Sequence, residues 1–64
     1  MITYAPLWKT MEEKGVSQYQ LKAEGISSST LVRLKHNEPV TTETLDKLCK
    51  ILQCTIEDII EYFE

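Results

Sequence analysis

The stretch Gly25-Ile26-Ser27-Ser28-Ser29-Thr30-Leu31-Val32-Arg33-Leu34-Lys35-His36-Asn37 opens on small hydroxyls, closes on basic side chains and holds no acid. Ser27 is suited to cap a helix, because its side-chain oxygen accepts from the free N–H groups of the first turn. At about 100° per residue from Ser28, Leu31 and Leu34 fall at about 300° and 240° and define an inward direction. Ser29, Val32, Arg33 and His36 lie around the opposite direction. Small hydroxyls at the N-terminal end permit close approach to a phosphate or a base edge. The unsatisfied N–H groups and the positive end of the helix dipole favour an anion there, and an acid would repel it. The chemistry on offer is recognition of a polyanion.

Bond-making chemistry is poorly supplied. His36 is the only histidine, no serine sits in a nucleophile elbow, and the only glycines, Gly15 and Gly25, make no phosphate-cradling loop. Cys49 and Cys54 lie five positions apart, too close for a helical disulfide and too few for a secreted framework, so both are expected to be reduced. A zinc site needs about four ligands, which two cysteines and one histidine do not provide. The expectation is no catalysis, no metal and no cofactor.

The chain has 64 residues, 42% of them hydrophobic and 27% charged, a composition that argues against disorder and fits one domain spanning residues 1–64. Domains of this size bury only about 60% of their unfolded surface, so a partner subunit would add needed stability. No apolar run is long enough to cross a bilayer, and the first residues lack the features of a signal peptide, so a cytoplasmic protein with no membrane partner is expected. The net charge of −3 hides a division along the chain. Through Asn37 there are five cations and three acids, a net +2; from Glu38 onward there are two cations and seven acids, a net −5. An anionic partner would be met by the first half, and the acidic second half is available for solubility or a protein contact.

The elements that must position the basic stretch are all helical in pattern. Pro6 fits a first turn, and Leu7, Trp8 and Met11 continue at helical spacing until Gly15, giving helix one at about Ala5 to Lys14. Ser17 and Gln20 form a capping-box pattern for a second helix, about Gln18 to Glu24, which Gly25 ends. The third runs from Ser28 to His36, and Asn37 tolerates the left-handed conformation of a helix end. After the connector Glu38-Pro39-Val40, Thr41 or Thr42 opens a fourth helix with the stripe Leu45, Leu48, Cys49 and Leu52. Thr55 with Asp58 caps a fifth, with the stripe Ile56, Ile59, Ile60 and Phe63. No useful length alternates at period two. The fold class expected is all-α, with five helices.

Two short helices joined at Gly25-Ile26-Ser27 make a helix-turn-helix unit. With Ser17-Gln18 opening the first of them, Ser29-Thr30-Leu31 and Arg33-Leu34-Lys35 in the second, and the later apolar set Leu45, Leu48, Cys49, Leu52, Ile59 and Ile60, the sequence resembles the Cro/phage-repressor type of helix-turn-helix domain. That is the xenobiotic-response-element family of bacterial and phage regulators, and the likeness extends from about Leu7 to Ile60. Two positions depart from the family's pattern: Leu21 stands where a small residue is usual, and Asn37 where glycine is usual. The resemblance implies a lambda-repressor-like fold and a sequence-specific DNA-binding transcriptional regulator, a repressor, that reads the major groove of double-stranded DNA with residues 28–36. A homodimer is expected, through Tyr62 and Phe63 or through Ile2 and Tyr4.

The candidate DNA contacts are Gln18, Ser27, Ser28, Ser29, Thr30, Val32, Arg33, Lys35, His36 and Asn37. Gln18 would reach a phosphate in the family's geometry, Lys35 and His36 suit phosphates better than bases, and Arg33 suits a guanine. Val32 is either a lone exposed apolar residue or a partner for a thymine methyl. The alternative function is a protein-interaction module, such as an antitoxin or anti-repressor, acting through the acidic second half.

Overall fold

The structure, a computed structural model, describes residues 1–64. In chain order the elements are β1 (Ile2–Thr3), α1 (Ala5–Lys14), α2 (Gln18–Ala23), α3 (Ser28–Lys35), α4 (Thr42–Leu52), a 3₁₀ turn (Ile56–Asp58) and β2 (Glu61–Tyr62). The four helices stand where local signals put them. Ser17 Oγ accepts from the Gln20 N–H at 3.2 Å while Gln20 Oε1 accepts from the Ser17 N–H at 2.7 Å, a closed capping box. Ser27 and Thr41 cap α3 and α4 in the same way, each accepting at 3.2 Å from the N–H three residues on. α1 is the exception: its cap residue, Tyr4, makes no side-chain cap bond.

All four helices end alike. A left-handed residue follows the last turn, Gly15, Gly25, Asn37 or Gln53, with φ of 68°, 104°, 56° and 50°. The next N–H reaches back to a carbonyl five residues earlier: Val16 to Met11, Ile26 to Leu21, Glu38 to Arg33 and Cys54 to Cys49, at 2.8 to 3.1 Å. In the turn between α2 and α3, Gly25 takes up a φ that costs any residue with a Cβ, and Ile26 drops into the core behind it. The two cysteines are free and meet at the end of α4. Burial, then the charges of Cys49 and Asp58, push the Cys54 thiol up.

Ten apolar residues form the core: Tyr4, Leu7, Met11, Leu21, Ile26, Leu31, Leu34, Leu48, Leu52 and Ile59, with Trp8, Leu45, Cys49 and Ile60 packed against it. The one buried polar residue, Thr10, donates its hydroxyl to the Asp58 carbonyl at 2.7 Å. Leu21, which departs from the pattern of the resembled family, is fully buried.

The last ten residues correct the sequence reading. There are four α-helices, not five, and the fold is not wholly α. Residues 56–58 make one 3₁₀ turn, and the chain then runs extended to pair antiparallel with β1, Ile2 opposite Tyr62 and Thr3 opposite Glu61. Three β-branched isoleucines in so short a segment favour helix weakly, and such a length is marginal without tertiary support. Tertiary contacts favour the other outcome. Thr10 occupies the Asp58 carbonyl that a helix would offer to the Tyr62 N–H, and the Phe63 N–H donates to the Met1 carbonyl at 2.9 Å while the Met1 amine donates to the Phe63 carbonyl. Of the expected stripe only Ile59 is fully buried; Ile60 is half-buried, and Ile56 and Phe63 are exposed. Tyr4, expected at a dimer surface, lies in the core instead. No helix is long and apolar enough to cross a membrane.

Candidate nucleic-acid interface

The two faces of α3 separate as the helical spacing requires. Leu31 and Leu34 are buried, and Ser28, Ser29, Val32, Arg33, Lys35 and His36 are exposed. Val32 is 51% exposed although it is apolar and β-branched. Val32 thus leaves about half of its surface free in the middle of a basic helix face. The cations of this face are uncommitted: the only salt bridge in the protein, Lys50 to Asp46 at 3.1 Å, is on α4.

At the N-terminal end the hydroxyls divide. Ser27 Oγ accepts from the Thr30 N–H and lies 3.2 Å from Ser29 Oγ and 2.9 Å from Thr30 Oγ1, so Ser27 and Thr30 are engaged in holding the first turn. Ser28 and Ser29 project outward beside N–H groups that have no intrahelical acceptor. The first turn of α3 therefore offers an exposed anion-facing end built by its own cap.

Gln18, half-buried, opens α2. Beside it stands Tyr19, 79% exposed, which the sequence reading did not single out. The signal was available: Tyr19 lies two residues, about 200° on a helix, from the buried Leu21 and so must point outward. Asn37 is unlike the other nine candidates. Its Oδ1 faces back into the protein, accepting from the Tyr4 N–H at 2.9 Å and from Thr3 Oγ1 at 3.3 Å. The structure thus gathers Ser28, Ser29, Val32, Arg33, Lys35 and His36 on the exposed part of one helix, with Ser27 and Thr30 as its cap and Asn37 as its anchor.

The rest of the surface has no comparable site. No group of three or more His, Cys, Asp or Glu side chains is placed to hold a metal ion. A groove between α1 and the 3₁₀ turn collects Glu13, Glu57, Asp58 and Glu61 around Lys9. This is where the acidic second half of the chain meets the first.

Residues 6–64 match the family described as Cro/C1-type HTH DNA-binding domain. Among solved structures, the chain is similar to the crystal structure of the transcriptional regulator VanUg, with 36% sequence identity and a TM-score of 0.86 over 94% of this chain and 81% of that one. No curated protein matches the sequence.

Proposed function

The chain belongs to the Cro/C1-type helix-turn-helix DNA-binding domain family, and from that premise we propose that it is a transcriptional repressor that binds a symmetric DNA site as a homodimer and reads the major groove with α3. The observation that carries this reading is the exposed face of α3, where the Ser28 and Arg33 side chains bond to nothing else in the chain, Ser29 reaches only its cap neighbour Ser27, and Val32 is half exposed, while Leu31 and Leu34 fix the helix to the core. On a duplex the capped N-terminal turn approaches the backbone, Val32 meets a thymine methyl, and the Arg33 guanidinium donates twice to a guanine. Gln18, Lys35 and His36 sit on phosphates, and Tyr19 extends the same phosphate-facing edge along α2. Repression needs only occupancy of the operator, which a DNA-binding domain supplies without a second function.

A dimer is the form that makes one short helix sufficient, because a single recognition helix reads only a few base pairs and the net-acidic chain has little non-specific attraction. The β1–β2 ribbon leaves Ile2 and Tyr62 exposed on one face and, one residue on, Met1 and Phe63 exposed on the other, and this apolar edge of the fold supports association of two copies. Half-sites then lie about 34 Å apart, one helical turn. Sequences selected from a random duplex pool should be palindromic, and light scattering on the complex should give two chains per site. One chain on a non-palindromic site would sink the dimer.

The second reading, a protein-interaction module, is favoured by the acidic groove at Glu13, Glu57, Asp58 and Glu61, which suits a basic partner. Salt separates the two readings. DNA binding should weaken steeply between low and moderate salt on any duplex, and Lys35→Ala should weaken specific and scrambled duplex alike while flattening the salt dependence by roughly one unit of slope. A chain that shifts no duplex at low salt is not a DNA-binding regulator.

A further inference from the structure

At three of the four helix ends the residues joined across the left-handed turn are apolar and lie in the core or packed against it: Met11 with Val16, Leu21 with Ile26, and Cys49 with Cys54. Such a contact commonly accompanies this kind of helix end. At the end of α3 the corresponding pair is Arg33 and Glu38, both charged and both exposed. The recognition helix therefore lacks the fastening the others have.

Asn37 and Tyr4 take its place. Asn37 Oδ1 accepts from the Tyr4 N–H and from the Thr3 hydroxyl. Tyr4, only 3% exposed, returns the connection by donating its phenol to the Glu38 carbonyl at 2.9 Å. The Glu38 N–H in turn donates to the Arg33 carbonyl at 2.8 Å. The end of α3 is thereby tied across more than thirty residues of sequence to β1 and to the start of α1, the one helix whose N-cap residue makes no side-chain cap bond. Glycine would take the φ of 56° at less cost, but it would supply no acceptor.

Resting on the DNA-reading function above, we propose that Asn37 is a positioning residue: it contacts no base, and it sets the tilt of α3 against α1 and β1 and so the aim of Arg33. The backbone of Arg33 is itself one member of the tied turn, so loss of the tie lets the guanidinium swing. Hydrogen bonds to a base edge weaken steeply when misaligned, whereas attraction to the phosphates tolerates a small rotation. The tie therefore acts on discrimination more than on affinity for DNA in general.

The test measures binding of the full chain and its variants to the selected site and to scrambled duplex, together with thermal unfolding. Asn37→Gly should stay folded and hold scrambled duplex nearly as well, while the ratio of specific to non-specific affinity falls about fivefold, the scale of one or two lost hydrogen bonds. Tyr4→Phe, altered at a buried atom that cannot touch DNA, should lower the same ratio in the same direction. Asn37→Asp keeps the acceptor, so both affinities drop with the added negative charge while their ratio is retained. An unchanged ratio in Asn37→Gly, with or without lower thermal stability, overturns the proposal. So does a lost preference at a single base position in both Asn37→Gly and Asn37→Asp with Tyr4→Phe unaffected, which is the pattern of a direct base contact. If the unaltered protein shows no preference between the duplexes, the DNA-reading function fails first and the proposal with it.

Discussion

Leu34→Ala is expected to cost about 2–5 kcal/mol of folding stability, the range for removing a fully buried leucine side chain and leaving a cavity. Leu34 has no exposed surface and lies among the ten buried residues of the core. Folded domains hold only about 5–15 kcal/mol in total, and one this small belongs at the lower end, so the variant should be largely unfolded under mild denaturant. Urea unfolding followed by circular dichroism gives the midpoint shift, read as stability only if the slope is unchanged. A loss under about 1 kcal/mol would mean that α3 does not present Leu34 to the core, and the outward face assigned from the same helix would be wrong with it.

Arg33→Ala, one position away and about 100° around the helix, should do the reverse. Arg33 is exposed and makes no ion pair, so unfolding should shift by no more than about 0.5 kcal/mol. Specific affinity should fall by about 1–3 kcal/mol, and preference at one base position should relax, because a guanidinium can donate to O6 and N7 of a guanine together and alanine to neither. Arg33→Lys separates charge from geometry: it keeps the salt dependence but loses the fork that matches the guanine edge. Binding of all three proteins to the selected site and to scrambled duplex decides the role. Equal loss of affinity for both duplexes in Arg33→Ala would make Arg33 a phosphate contact, and unfolding of the domain would place the residue on the inward face.

The contrast between these neighbours was legible in the sequence because the period of a helix is a local property. Leu31 and Leu34 share a face with no help from the rest of the chain, and the outward set of Ser29, Val32, Arg33 and His36 follows by subtraction. Ser17 and Ser27 could be placed as caps, and the cap of the fourth helix narrowed to Thr41 or Thr42, because each closes its bond within three residues; the structure uses Thr41. So could the left-handed ends at Gly15, Gly25 and Asn37, where residue type alone restricts φ. The fourth, Gln53, carries no such signal and was not foreseen.

What the sequence by itself determined is thus the four helices, their buried stripes and the basic face of α3, all set by interactions that reach at most one turn or so along the chain. Tertiary structure alone decided the fate of residues 56–64 and the direction of the Asn37 side chain. The isoleucines after Thr55 carry a helical spacing, yet the Asp58 carbonyl finds the Thr10 hydroxyl 48 residues away and Tyr62 finds Ile2, and the helix gives way to a turn and a strand. Asn37 looks from its neighbours like one more polar residue at the end of a basic helix, and its Oδ1 instead accepts from the Tyr4 N–H, 33 positions earlier. Bonds between groups so far apart in sequence leave no periodic trace, because neither partner's position is fixed until the core between them has closed.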